Sequence, residues 1–177
     1  MKLKGLSLKD LAIFISGYLL KNGIEVILTG GACVVIYTNN KYMSYDLDFV
    51  LTSSDKQREL KQLLLDLEFY EEDRYFKHND TEYFIDFVSP PLSIGEEPVK
   101  EISEIIKGGN VLKLLSPTEC VKDRLIAFYH WDDRQSLEQA ISVYRNNKVD
   151  LKEIERWSEN EGMSAKYNTF LARVEHT

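Results

Sequence analysis

Two glycines set between a β-branched strand and an apolar helix, with two carboxylates at alternate positions of the next strand, constrain this chain more than any other feature. Ile24 to Thr29 is short and rich in strand formers. Gly30-Gly31 breaks it, and Ala32-Cys33-Val34-Val35-Ile36-Tyr37 begins a helix apolar enough to be buried. The glycines therefore lie at a strand-to-helix turn. Backbone without side chains can approach phosphate closely there, and the helix offers free N–H groups and the positive end of its dipole. Tyr45-Asp46-Leu47-Asp48-Phe49-Val50 follows. Residues i and i+2 of a strand share a face, about 6.6 Å apart along the chain. Asp46 and Asp48 thus project together while Tyr45, Leu47 and Phe49 pack behind them.

A third acid, Asp86, stands alone in Tyr83-Phe84-Ile85-Asp86-Phe87-Val88 and joins the pair if its strand is adjacent. Asp is a poor strand former, and carboxylates about 5 Å apart repel by about 3 kcal/mol at an effective dielectric of about 20. A hard, oxygen-preferring cation offsets that cost. Mg²⁺ suits such a set because it takes one or two carboxylates, keeps several waters and lets nucleotide phosphate oxygens complete its octahedron. Two ions about 3.5 to 4 Å apart could clamp an attacking oxygen and a leaving pyrophosphate. Taken singly, a Gly-Gly turn is usually only a turn, Asp-x-Asp is often solvated surface, and Asp86 could be a hydrogen-bonded structural acid. Their order and spacing together select a metal-nucleotide site.

Around these residues the pattern alternates helix and strand. Leu8, Leu11, Ala12, Ile15, Leu19 and Leu20 fall at helical spacing up to Asn22-Gly23, and Lys2, Lys4 and Lys9 alternate with leucines at the N-terminus as at the start of an amphipathic helix. Ser53-Ser54-Asp55 supplies N-cap chemistry for a helix through Leu60, Leu63, Leu64 and Leu67. Phe69 to Asp86 reads as hairpin-forming strands, with Arg74-Tyr75-Phe76-Lys77 alternating, His78-Asn79-Asp80 turning and Pro90-Pro91 ending the sheet. Residues 92 to 109 form a connection with a short helix near Val99 to Ile106, and Val111 to Leu115 is one more strand. Ser116-Pro117-Thr118-Glu119 carries a capping box with proline at the first helical position, and the rest is helical. The expected sheet is mixed, and mostly antiparallel beyond its first crossover. Residues 1–115 form the α/β core and 116–177 a helical region packed on it as one compact unit.

Composition excludes several classes. A chain of 177 residues buries roughly 70% of its unfolded surface. With 44% hydrophobic and 29% charged residues it is too apolar for disorder. A net charge of -7 is the wrong sign for sequence-independent duplex DNA binding, although a bound cation would reverse the field at a nucleotide or RNA-end site. No apolar stretch approaches the ~18 residues needed to span a bilayer, so no membrane partner is expected. Nothing marks the chain for export. Cys33 and Cys120 read as reduced core thiols, consistent with a cytoplasmic location. His78, His130 and His176 are too scattered for zinc. Phe128-Tyr129-His130-Trp131 reads as core at a helix end, and Lys148, Lys152 and Arg156 as a solvated stripe with i,i+4 pairs.

These residues resemble the nucleotidyltransferase superfamily, with Gly30-Gly31 opening a helix, Asp46-Leu47-Asp48 on the next strand and Asp86 on a later one. The similarity runs over roughly residues 8 to 140 and is nearest the branch that includes the AbiEii-type toxins. There a segment like Leu115-Ser116-Pro117-Thr118-Glu119 opens a helix with a basic residue, which puts Arg124 rather than Lys122 in that role. Relatives carry an arginine and a threonine before the paired acids. This chain has Lys41-Tyr42-Met43-Ser44-Tyr45, so Lys41 and Ser44 stand in. Charged residues of the second C-terminal helix match only loosely, as Asp132, Asp133 and Arg134.

The resemblance implies an α+β, polymerase-β-like fold: a small mixed sheet flanked by helices, with a C-terminal helical extension. It implies that Asp46 and Asp48 bind Mg²⁺, that Asp86 binds metal and takes the acceptor's proton, and that Arg124 contacts the triphosphate. The implied reaction moves a nucleoside monophosphate from an NTP such as ATP to an acceptor hydroxyl on an RNA end, a protein or a small molecule, releasing pyrophosphate. A non-catalytic relative, working as a regulatory module or with an antitoxin partner, is the rival of a different class. A metal-dependent nuclease, which would release nucleic-acid fragments, is a third.

Overall fold

Leu8, Leu11, Ala12, Ile15 and Leu19 form the buried stripe of the first helix, α1 (Leu8–Lys21), whose first turn is capped by Ser7 Oγ accepting from the Asp10 amide at 3.1 Å. The computed structural model describes residues 3–175, so the expectations touching Lys2 and His176 lie outside the described residues. β1 (Val26–Thr29) runs into α2 (Gly30–Tyr37), and β2 (Asp46–Leu51) follows. A 3₁₀ turn (Ser54–Lys56) then leads into α3 (Gln57–Asp66). The expected Ser53 cap is not made. Ser53 is followed by that turn, its hydroxyl donates to the Asp55 carboxylate, and α3 starts at Gln57 without a side-chain cap.

β3 (Tyr70–Glu72) and β4 (Tyr75–Lys77) form a hairpin, and β5 (Phe84–Val88) comes next. After a small hairpin of β6 (Ser93–Ile94) and β7 (Glu97–Pro98), the chain forms β8 (Ile102–Lys107) and β9 (Asn110–Leu115). The helix expected near Val99 to Ile106 is therefore a strand. Ile102, Glu104 and Ile106 alternate against Leu115, Lys113 and Val111. Gly108-Gly109, at φ +57° and +74°, supplies the two-residue turn whose left-handed backbone matches strand twist.

The main sheet has the order β3-β4-β5-β2-β1-β9-β8. β1 pairs antiparallel with β2 and parallel with β9, while β2 pairs parallel with β5. The outer pairs β3–β4, β4–β5 and β8–β9 are antiparallel. This is the mixed α+β sheet the sequence implies. Its central strands bring together the ends of segments far apart in the chain, and the acids lie there.

Four helices complete the chain: α4 (Pro117–Trp131), α5 (Arg134–Asn146), α6 (Leu151–Asn160) and α7 (Ser164–Glu175). Ser116 Oγ caps α4 by accepting from the Glu119 amide at 3.2 Å, as the capping box requires. Phe128 and Tyr129 are buried, with Tyr129 stacked on Trp157 of α6, whereas Trp131 is exposed. Cys33 and Cys120 are buried and free. Arg156 is more than part of a solvated stripe. It forms a bidentate pair with Glu97 at 2.9 and 2.6 Å and bonds Glu153 one turn earlier, tying α6 to the β6–β7 hairpin. Among the described residues no helix is long and apolar enough to cross a membrane.

Candidate active site

The parallel register of β2 and β5 makes Asp48 and Asp86 direct partners. Partners in register share a sheet face, and Asp46 lies two residues from Asp48 on that same face. The three acids thus line one surface of two neighbouring strands. On the other side of β2, Thr29 is the partner of Asp48, and its hydroxyl donates to the Asp48 carbonyl at 3.2 Å. The glycine turn begins at the next residue.

Gly30 has φ +67°, and a Cβ there would lie 2.5 Å from Asp48 Oδ2. The acid therefore leans directly over the turn. A Cβ on Gly31 would lie 3.3 Å from Ser44 Oγ, and that hydroxyl donates to Asp46 Oδ1 at 2.6 Å. Ser44 joins the turn to the first acid. Thr29, the N-cap of α2, makes no side-chain cap, so no side chain competes for the first N–H groups of that helix. Gly30→Ala is expected to destabilise the protein by about 1–3 kcal/mol through left-handed strain and displacement of Asp48. Gly31→Ala, with ordinary φ, should cost less than about 1 kcal/mol. Chemical denaturation of the two variants, side by side with the parent, checks the difference.

Asp48 carries the electrostatic cost of the arrangement. Burial, then the charges of Asp46, Asp86 and Asp123, push its carboxyl up to about 6, against a smaller opposing pull from Arg124. Asp86 is nearly buried, and Arg74 reaches its Oδ2 at 3.3 Å. Arg124 binds Asp123 through Nε at 3.1 Å and through its terminal nitrogen, and the pair stands on α4 close enough for Asp48 to feel both charges.

Two contributors, Arg74 and Asp123, escaped sequence reasoning. The alternation of Arg74 to Lys77 suggested a strand, but Arg74 belongs to the β3–β4 turn, where Asp73 takes φ +57°. The signal for that turn was Glu72-Asp73 between two aromatic runs. Lys41 points elsewhere: its Nζ lies over the Tyr42 ring at 5.7 Å, and it forms no ion pair with the three aspartates. Asp132, Asp133 and Arg134 serve the turn between helices. Asp132 takes the left-handed C-cap of α4, Asp133 caps α5 by accepting from the Gln135 and Ser136 amides, and Arg134 pairs with Asp132 at 3.5 Å.

Among the described residues no three His, Cys, Asp or Glu side chains are already gathered into a metal-enclosing cluster. The donor chemistry nonetheless fits a hard divalent cation. Asp46, Asp48 and Asp86 with the Ser44 hydroxyl offer oxygen atoms only, and the raised Asp48 marks a charge opposed first by burial and then by its neighbouring acids, which a cation would relieve.

No family model and no curated protein matches this chain. Solved structures do match it. An antigenic nucleotidyltransferase-like protein from Paracoccidioides brasiliensis superposes with a TM-score of 0.61 at 15% identity, covering 81% of this chain and 78% of that one. The antibiotic-resistance factor ANT(2'')-Ia in solution gives 0.54 at 15% identity, with 97% of each chain covered. Its crystal structure in complex with adenylyl-2''-tobramycin gives 0.53 at 13% identity, covering 94% of this chain and 97% of that one. These likenesses do not single out the AbiEii-type branch. At such identities they speak to architecture, and the architecture of this chain is the nucleotidyltransferase fold.

Proposed function

We propose that the protein is a nucleotidyltransferase that moves a nucleoside monophosphate from an NTP to an acceptor hydroxyl. The observation that carries this reading is the register pairing Asp48 with Asp86 while Asp48 leans over Gly30. The turn and the first N–H groups of α2 hold the triphosphate, and Arg124 adds positive charge beside it. Ser44 fixes the orientation of Asp46. Asp86 takes the proton of the acceptor hydroxyl as its oxygen bonds to the α-phosphorus and the bond from that phosphorus to pyrophosphate breaks. One or two Mg²⁺ ions, held by Asp46, Asp48 and Asp86, would supply charge neutralisation at the phosphates. The rest is positioning.

A small hydroxylated acceptor is favoured over an RNA end. Between residues 66 and 86, on the β5 side of the site, acids outnumber bases eight to two, which disfavours a polyanion. Among the neighbours in fold, ANT(2'')-Ia is seen with an adenylylated small molecule. The two buried free thiols suit a reducing cytoplasm.

The test is incubation with each α-labelled NTP, Mg²⁺, and either RNA ends or a panel of hydroxylated amines. Pyrophosphate release and label on a small acceptor, both abolished by EDTA, are the expected result. Failure to bind or turn over any NTP would leave the non-catalytic interaction module, with an antitoxin-like protein as the partner to seek. Nucleic-acid fragments without pyrophosphate would indicate a nuclease.

A further inference from the structure

The sheet face that bears the three acids continues outward beyond β5. Asp48 pairs with Asp86, Phe76 with Ile85, and Glu72 with Tyr75. Because β4 and β5 are antiparallel, the Phe76–Ile85 pair sets Tyr75 beside Asp86, one strand further out. Asp48, Asp86, Tyr75 and Glu72 therefore form one row across four strands, on one face, each about 5 Å from the next. The Tyr75 ring meets Phe84, the register partner of Asp46, at 4.8 Å between centres and 68° between planes, which fixes it on the acid face. Phe76 and Phe87 meet each other on the opposite face, beside Leu60 of α3. Tyr75 and Phe84 are only half-buried, and Glu72 is exposed. Arg74 completes the row. Its guanidinium lies 4.8 Å from the Tyr75 ring centre and 3.3 Å from Asp86 Oδ2, and its side chain is 70% exposed, so most of its N–H fork is open to solvent.

We propose that Tyr75, flanked by Phe84 and Arg74, is the platform on which the acceptor rests, and that the acceptor hydroxyl is carried on a polyhydroxylated ring, a sugar or cyclitol. The inference rests on the transferase reading and specifies its acceptor. With pyrophosphate leaving at the Gly30 turn, on the β1 side of β2, in-line attack comes from the β5 side. A ring lying on Tyr75 is on that side, about one strand spacing from Asp86, so a hydroxyl on its rim reaches the acids while the ring stays on the tyrosine. The aromatic face takes the C–H side of a saturated ring, and the charged planar groups around it take pairs of neighbouring hydroxyls, the guanidinium donating and carboxylates accepting. Glu72, although paired with Lys77, keeps lone pairs for the far rim. An open-chain polyol offers the same hydroxyls but loses more conformational freedom when held there. Glu71, Glu72, Asp73 and Asp86 favour an uncharged or amine-bearing ring over a phosphorylated one.

The experiment offers the parent each α-labelled NTP with Mg²⁺ and two matched pairs of probes: myo-inositol against open-chain sorbitol, and glucosamine against open-chain glucamine. At least one ring should be labelled with a kcat/KM about tenfold above that of its open-chain counterpart. Tyr75→Leu keeps apolar bulk on the short strand and removes the aromatic face. It should raise the KM for that ring about three- to tenfold and move kcat less than about twofold. Tyr75→Phe should stay near the parent. Arg74→Lys, which keeps the charge and loses the fork, should raise the same KM about two- to fivefold. Equal labelling of ring and chain, pyrophosphate release with neither ring labelled, or a ring KM unchanged in Tyr75→Leu would overturn the platform and leave the transferase reading standing. Failure of the parent to bind or turn over any NTP would overturn both.

Discussion

Asp48→Asn is expected to abolish nucleotidyl transfer while raising the melting temperature measured in EDTA. The two signs separate a functional acid from a structural one. Asparagine keeps the shape of the side chain, and the Thr29 hydroxyl bond is made to the Asp48 carbonyl, so the strand pairing survives. What disappears is a negative charge that burial and the neighbouring acids oppose, a cost expressed in a carboxyl pushed from 3.8 to about 6. Each pKa unit is about 1.4 kcal/mol, and solvent at the half-open face reduces the gain to about 1–2 kcal/mol, or several degrees in Tm. Because this acid's folded pKa is raised, its contribution to stability is whole below 3.8 and is lost as pH rises through about 6. The parent should therefore lose Tm over that interval relative to the variant. At neutral pH, added Mg²⁺ should restore the parent and leave the variant unmoved. Transfer should fall by about a thousandfold or more, because the lost group bears on charge developing in the transition state. A variant with parental activity would remove Asp48 from the chemistry. Lower stability with activity retained would make it a structural acid.

How far the site could be read from residues alone follows from the range of the interactions involved. The glycine turn and the alternation of Asp46 and Asp48 are local, and period-two spacing with a helix start behind it is visible in a dozen residues. The neighbour relation of Asp48 and Asp86 is not local. It depends on β5 passing beyond α3 and the β3–β4 hairpin to lie parallel with β2, which no spacing rule dictates. In β8, Ile102, Ile105 and Ile106 fit a short helix as readily as a strand, and only the hairpin turn at Gly108-Gly109 decides for the strand. Arg74 was hidden because a basic residue at a hairpin tip has no pattern. Only the pairing of strands shows that the tip overhangs an acid. Lys41 fits the resemblance by position, and its Nζ lies 5.7 Å from the Tyr42 ring centre.

Lys122→Ala is expected to produce a large loss of stability in the C-terminal helices, and with it the choice of Arg124 over Lys122 as the basic group at the site can be tested. Lys122 and Glu119 are almost completely buried, with Nζ 3.2 Å from Glu119 Oε1 and 2.8 Å from Glu153 Oε1. The ammonium also lies 5.9 Å from the Trp157 ring centre. Arg156, Lys122 and Lys100 hold Glu153 well below the usual carboxylate range, although burial opposes them. Removing Lys122 leaves Glu119 as a buried charge without its partner, a loss of about 3–5 kcal/mol. For a chain of this size that is roughly 6–20 °C in Tm. Lys122→Met should be almost as costly, because filling the volume does not answer the orphaned carboxylate. The double variant Lys122→Met with Glu119→Gln should recover most of the loss, since an apolar and an amide side chain need no counter-charge. Arg124→Gln is the contrasting case. Its guanidinium binds Asp123 and lies within electrostatic reach of Asp48, so nucleotide affinity should fall far more than Tm does. If Lys122→Met left Tm unchanged and weakened NTP binding, the two bases would have to exchange roles, and the buried network joining α4 to α6 would lose its claim as the anchor of the helical region.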